Sequence, residues 1–72
     1  MKLDYFRDTD SLYIELAPQT SVESREVSEG VVLDYDATGA LVGIDIDNAS
    51  TKVDMRILQL TNLPATVKTV AA

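Results

Sequence analysis

The stretch that decides the fold is residues 31–46, VVLDYDATGALVGIDI. Two runs rich in β-branched and apolar residues flank a short segment that ends in Gly39, so residues 31–36 and 40–47 are predicted to form the strongest strands, joined as a β-hairpin. Gly39 supplies the positive φ that a tight hairpin requires, and Asp36 is placed to accept a hydrogen bond from the turn backbone.

Two signals compete over the register of this hairpin. Pairing Asp36 with Leu41 collects the apolar side chains on one face of the sheet. Pairing Asp36 with Ala40 makes a three-residue loop with a glycine bulge and mixes the faces. Hydrophobic matching favours the first register, whereas the sequence Asp-Ala-Thr-Gly favours the second, so both stay open. The first register groups Val31, Leu33, Tyr35, Val42, Ile44 and Ile46.

Three further segments are predicted to be strands. Residues 11–17 alternate apolar and polar side chains as a half-buried strand does, and Pro18 ends that pattern. Residues 3–6 form a short first strand. Residues 22–27 carry several charges, which is typical of an exposed edge strand. The expected core consists of Leu12, Ile14, Leu16, Leu33, Val42, Ile44 and Ile46.

The pattern changes after Asp47, where good helix N-caps appear. Thr51 with Asp54 resembles a capping box, so a helix is predicted over residues 51–60. The same segment also alternates as a strand would, and residues 65–72 are either a last strand or a frayed tail. We expect Ile57 or Leu58 to cover the sheet or to meet a second copy of the chain. The predicted fold is α+β, a small antiparallel β-meander of four to five strands with one C-terminal helix.

Length and composition restrict the classes of function. The chain of 72 residues is predicted to be a single domain over residues 1–72, and it contains no cysteine and no histidine. A domain this small buries only about 60% of its unfolded surface, and many small domains gain stability by pairing. We therefore expect a homodimer. No stretch is long and apolar enough for a membrane span, and no signal peptide is visible, so a cytoplasmic location is expected.

The net charge of −6 restricts the kinds of molecule that this protein is expected to bind. Nucleic-acid binding needs a basic patch, but the lysines and arginines of this chain are scattered, so no nucleic acid is expected as a partner. An acidic domain attracts a basic protein instead, through electrostatic steering. A basic partner protein is therefore the expected one, although acids also serve simply to keep a small protein in solution.

The segment from Asp34 to Asp45 partly fits the calcium loop of an EF-hand. Asp34, Asp36 and Asp45 are the candidate metal ligands. Alternating β residues flank the loop where an EF-hand has helices, and an aspartate stands where the bidentate glutamate belongs, so a hairpin is the favoured interpretation. The same carboxylates are the candidates for a small acid–base enzyme, but a short chain with one sheet offers little cleft. No cofactor is expected.

Two longer segments, residues 10–16 (DSLYIEL) and 25–50 (REVSEGVVLDYDATGALVGIDIDNAS), resemble the DUF2283 (YuzE-like) family of small bacterial proteins of unknown function. The similarity covers about residues 3–50, leaving 51–72 as a C-terminal helix and tail. It departs from the family at Phe6-Arg7, where members often carry Asp-Pro. The matching residues are Asp10, Leu12, Tyr13, Ile14, Leu16, Glu26, Gly30, Asp34, Tyr35, Asp36, Gly39, Val42, Gly43, Ile44, Asp45, Ile46, Ala49 and Ser50.

The resemblance implies no activity, cofactor or catalytic residue. The family's genes sometimes lie beside those of small toxin-like proteins, which implies an antitoxin-like or partner-masking role. Three hypotheses follow: a non-enzymatic protein-interaction module, a divalent-metal (calcium) binding module, and a small carboxylate-based enzyme. The first is favoured, because the chain is acidic, small and poor in catalytic residue types.

Overall fold

The protein forms one antiparallel sheet of five strands followed by a short helix. The computed structural model describes residues 1–70. The elements are β1 (Lys2–Phe6), β2 (Ser11–Glu15), β3 (Glu23–Ser28), β4 (Val31–Tyr35), β5 (Leu41–Ile46) and α1 (Ala49–Lys52). The expected α+β class is therefore confirmed, and all five strand predictions are confirmed with ends that shift by one or two residues.

The strand order is β1-β2-β5-β4-β3, so β5 lies at the centre of the sheet. The β1–β2 hairpin and the β3–β4–β5 meander join along β2 and β5, which pair antiparallel. The edges are β1 and β3. Every residue of β3 is exposed, as expected for a charged edge strand that resists unwanted pairing.

A bulge satisfies both of the competing register signals in the β4–β5 hairpin. At the turn the Asp36 N–H donates to the Ala40 carbonyl (2.9 Å), and Gly39 has a φ of 84°, as the three-residue loop requires. Beyond the turn the register shifts by one residue, because Val42 is an extra residue in β5. The remaining ladder has the register that hydrophobic matching favours, with Leu33 opposite Ile44.

Val42 is also a core residue, with only 3% of its surface exposed. Its carbonyl accepts hydrogen bonds from the backbone N–H groups of Leu16 (2.8 Å) and Ala17 (3.3 Å), which continue the chain just after β2. The bulge therefore connects the two hairpins as well as correcting the register.

The sheet has two distinct faces, because residues directly opposite each other on paired strands share a face. The apolar face carries Leu3, Tyr5, Leu12, Ile14, Val31, Leu33, Ile44 and Ile46. The other side, which we call the acidic face, carries the charged strand residues Lys2, Asp4, Glu15, Glu26, Asp34 and Asp45.

The core is smaller than the sequence predicts. Of the expected core residues only Leu12 and Val42 are buried, and Ala49 of α1 joins them; the others are half-buried. The accessible surface is 5863 Å², compared with about 4,400 Å² for a typical folded monomer of this mass. Part of this excess comes from residues 54–70, which are all exposed, and on the apolar face Leu3 and Tyr5 are 43% and 46% exposed.

The predicted helix over residues 51–60 is wrong in extent. The helix α1 ends at Lys52, Val53 is extended, and the rest of the chain to residue 70 contains no helix or strand. The capping box does not form, because the Asp54 carboxylate accepts hydrogen bonds from Arg56 instead, at its backbone N–H (3.1 Å) and its Nε (2.9 Å). Local side-chain bonding of this kind competes with a helix, and a short helix without packing has no other stabilisation.

This shortening also changes what covers the sheet. Ile57 or Leu58 was expected to cover the sheet or to meet a second copy of the chain; within this chain, 74% and 67% of their surfaces remain exposed. Residues 65–72 were expected to be either a last strand or a frayed tail. Residues 65–70 pair with no strand, and residues 71 and 72 lie outside the described residues. Within residues 1–70, no helix has the length and apolar character needed to cross a membrane.

Candidate functional site: the acidic face and the apolar groove

Asp36, one of the three candidate metal ligands, is engaged by the hairpin turn. Its carboxylate accepts hydrogen bonds from the Thr38 N–H (2.9 Å), the Thr38 hydroxyl (2.6 Å) and the Ala40 N–H (3.0 Å). The Thr38 hydroxyl and these N–H groups lower the pKa of Asp36, since they stabilise the charged carboxylate. The carboxylate of Asp36 therefore acts as the cap of the turn.

Asp34 lies on the acidic face, where it links three strands. The Tyr13 hydroxyl of β2 donates to Asp34 Oδ2 (2.9 Å), and the Ser24 hydroxyl of β3 donates to Asp34 Oδ1 (2.5 Å). The pKa of Tyr13 is raised mainly by burial of its hydroxyl, and the hydrogen bond to Asp34 raises it further. Both carboxylate oxygens of Asp34 are thus occupied by donors from the protein itself.

The Tyr13–Asp34 contact depends on Gly43. The strand β5 lies between β2 and β4, so the Tyr13 ring must pass over β5 to reach Asp34, and it does so above Gly43. A Cβ atom at this position would overlap the Tyr13 hydroxyl and ring. The glycine therefore has a steric role, since close approach of a ring across a strand requires a residue without a side chain.

Asp45 also lies on the acidic face and is half-buried. Burial raises its pKa, and the negative charges of Asp47 and Asp34 raise it further. Asp45 and Asp34 are diagonal neighbours, because Asp45 pairs with Val32 and Asp34 pairs with Gly43. The fold thus brings these two carboxylates to the same face and leaves Asp36 apart from them, in the turn.

The favoured hairpin interpretation of residues 34–45 is confirmed, because this segment forms the β4–β5 hairpin and its turn. Among residues 1–70, no group of three metal-ligating side chains converges, so Asp34, Asp36 and Asp45 do not form a common site there. Two surface grooves lie at residues 50–56 and beside β1 and β2, and neither is lined by Asp34 or Asp45.

A second carboxylate cluster, centred on Asp10, was missed by sequence reasoning. Asp10 has a φ of 51°, and its carboxylate accepts hydrogen bonds from the Tyr5 hydroxyl (2.8 Å), the Ser50 N–H (3.1 Å) and the Ser50 hydroxyl (2.6 Å). Its carbonyl accepts from the Ala49 N–H (2.8 Å). These bonds hold α1 against the β1–β2 turn, and the bonds from Ser50 and Tyr5 lower the pKa of Asp10.

The signal for this cluster was present in the sequence but could not be interpreted without the fold. Asp10, Ala49 and Ser50 stand among the residues that carry the family resemblance, yet 39 residues separate Asp10 from Ala49. Nothing in the local pattern of either segment indicates that they meet.

The apolar face carries a groove, which we call the apolar groove, between the sheet and the segment after α1. Leu3, Tyr5 and Leu12 line it on the sheet side, and Met55, Ile57 and Leu58 line it on the other side. Its volume is about 390 Å³, and its lining is mostly apolar.

A family model described as a protein of unknown function (DUF2283) matches residues 2–50. The chain belongs to the DUF2283 family. The match covers the whole sheet and ends at Ser50 in α1, so it includes the Asp10 cluster but not Met55, Ile57 or Leu58. Neither a curated protein nor a solved structure matches the chain.

The residues that resemble DUF2283 hold structural positions in this protein. Gly30 and Gly39 have φ angles of 72° and 84°, which favour glycine. Asp36 caps the turn, Gly43 makes room for Tyr13, and Asp10 anchors α1. These positions of the DUF2283 motif thus account for how the sheet and its turns are built in this chain.

Proposed function

We propose that this DUF2283 protein is a non-enzymatic protein-interaction module that binds a basic partner protein through its acidic face. The observation that carries the proposal is the distribution of charge on that face. Its strand residues include five acids but only one base, Lys2, which lies 3.5 Å from Asp4.

The shape of the acidic face supports a protein partner rather than a small molecule. The face is one side of a sheet, and Asp34 and Asp45 line neither of the two grooves described above. A flat acidic surface attracts a basic protein by steering, which raises the association rate at low ionic strength. Small-molecule sites, in contrast, are concave and enclose most of the ligand.

Masking of a basic protein is the form of this function that we propose, which is an antitoxin-like role in the cytoplasm. The Tyr13–Asp34–Ser24 contacts support it, because they hold β2, β3 and β4 together beneath the charges. A rigid surface of this kind loses little conformational entropy on binding.

Capture of partners from a native lysate, with identification of the bound proteins, tests the proposal. The double variant Asp4→Lys/Glu15→Lys reverses two charges on the acidic face. The control Asp8→Lys/Glu29→Lys makes the same change in net charge at exposed turn residues. We expect the wild type and the control to retain the same basic protein, and the double variant to lose it.

Ionic strength provides a second measurement in the same experiment. Screening over about 8 Å at 0.15 M salt, compared with about 30 Å at 0.01 M, should weaken capture as salt is added. Recovery of nothing but further copies of the bait, or equal recovery of one partner by both double variants, would show that the acidic face is not the binding surface.

A further inference from the structure

We infer that the apolar face binds a second copy of this chain, with Ile57 and Leu58 of each protomer entering the apolar groove of the other. This surface lies on the side of the sheet opposite the acidic face, so the inference stands independently of the proposed partner. Three observations carry it: the area of exposed surface, the charges around the groove, and the arrangement of side chains within it.

The exposed area matches what a dimer needs. The accessible surface of 5863 Å² exceeds the value for a typical folded monomer by about 1,500 Å². A stable interface buries about 800 Å² on each partner. The exposed residues 54–70 supply part of the excess, and the apolar side chains of the groove contribute to it as well, since Leu3, Tyr5, Ile57 and Leu58 are 43%, 46%, 74% and 67% exposed. The radius of gyration of 13.0 Å is also larger than the roughly 11 Å typical of a compact chain of this length.

The charges around the apolar groove favour a second copy of the same chain as the molecule that binds there. Two molecules with a net charge of −6 repel each other unless they meet where the acids are neutralised. On the apolar face Glu23 lies 3.3 Å from Arg25, and beside the groove Asp54 lies 2.9 Å from Arg56. These two acids near the surface therefore each have a base within 4 Å, and Asp10 beside the groove is bonded to the Tyr5 hydroxyl, whereas five of the strand acids lie on the opposite face.

The side chains of the patch are complementary to one another. Leu3, Tyr5 and Leu12 form the sheet wall of the groove, and the highly exposed Ile57 and Leu58 project beside it. A two-fold interface requires that one surface contain both the projecting group and the site that receives it. The apolar groove and these two side chains meet that requirement within a single patch.

Sedimentation and native mass spectrometry over a series of protein concentrations test the inference. The wild type should form a species of twice the 7.8 kDa chain mass. Ile57→Asp and Leu58→Asp place a charge in the apolar groove of the partner, and each should weaken the dimer at least about 30-fold. Leu3→Asp, on the sheet wall of the groove, should have the same effect.

Matched control variants distinguish this interface from nonspecific hydrophobic association. Val67→Asp adds the same charge at a side chain that is 65% exposed in the same segment but does not line the groove, and Phe6→Asp does so at the acidic face. Both should remain dimers. Circular dichroism and thermal unfolding establish that each variant is folded. A wild type that stays monomeric at every concentration, a dimer that survives Ile57→Asp and Leu58→Asp, or equal loss in Val67→Asp would overturn the inference.

Discussion

Gly43 allows the acidic face to form, because Tyr13 passes above it to reach Asp34. We expect Gly43→Ala to lower the free energy of unfolding by about 1–3 kcal/mol, as overpacking typically does. The added Cβ would displace the Tyr13 ring and break its hydrogen bond to Asp34. Urea unfolding measures this change.

A double-mutant cycle provides the control for this prediction. Tyr13→Leu removes the ring, so Tyr13→Leu/Gly43→Ala should cost less than the sum of the two single changes. At Gly39 no atom lies within 4 Å of the added Cβ, so Gly39→Ala should act through backbone strain alone and add independently to Tyr13→Leu. Additive costs at Gly43 would contradict the steric role of the glycine.

Asp10 makes the stability of the protein dependent on pH. Its folded-state pKa lies below the unfolded value of about 4, so its contribution is fully present above that pH and is lost as the pH falls further, through the folded pKa. We expect Asp10→Asn to be less stable than the wild type at pH 7 and to approach it near pH 3. Urea unfolding at the two pH values measures the difference.

Asp8→Asn is the matched control for Asp10, because Asp8 is exposed in the same turn and makes none of these hydrogen bonds. It removes the same charge without removing these hydrogen bonds, so at pH 7 it should cost less stability than Asp10→Asn. A parallel loss of stability in Asp10→Asn and the wild type between pH 7 and pH 3 would show that the Asp10 carboxylate does not anchor α1 through its charge.

At the scale of elements, α1 is limited to one turn, and the segment after it is irregular. We therefore expect Gln59→Pro to change the free energy of unfolding by less than about 0.5 kcal/mol. In the interior of a helix over residues 51–60 the same change would cost about 3 kcal/mol. Chemical unfolding distinguishes the two values.

Val53→Pro is the control for this element. The Val53 N–H donates to the Ala49 carbonyl (2.8 Å), and its φ of −127° is far from the value that proline adopts. It should therefore destabilise the protein clearly. A large loss in Gln59→Pro would indicate that residues around 59 are helical in solution.

At the scale of the whole molecule, the acids of the sheet gather on one face, where Asp45 experiences the charges of Asp47 and Asp34. Since burial and these charges raise the pKa of Asp45, its ionised form opposes folding at neutral pH. We expect Asp45→Asn to raise the melting temperature at pH 7, and this gain to vanish as the pH falls below the pKa of Asp45.

Added salt tests whether the destabilisation by Asp45 is electrostatic. Added NaCl should raise the melting temperature of the wild type, because screening weakens the repulsion among these carboxylates, and Asp45→Asn should reduce that rise. Glu29→Gln removes one negative charge in an exposed turn and serves as the control. An equal gain from both substitutions would assign the effect to net charge rather than to the position of Asp45.

The local features of this fold were predictable from the sequence. Alternation of apolar and polar residues indicated the five strands, the charges of residues 22–27 indicated an edge, and Gly39 with Asp36 indicated the hairpin turn. Each of these properties depends on interactions between residues that are near in sequence, so a local pattern carries the information. The confinement of Asp36 to the turn follows from the same local bonding.

The arrangement of these elements was decided only by tertiary structure. The central place of β5 and the contact between Asp10 and Ser50 arise from pairing between distant segments, whose local patterns do not indicate one another. The bulge at Val42 combines two register signals that the sequence left open. The helix over residues 51–60 was wrong for the same reason: helix length depends on packing against a partner surface, and Ile57 and Leu58, although they line the apolar groove, remain 74% and 67% exposed.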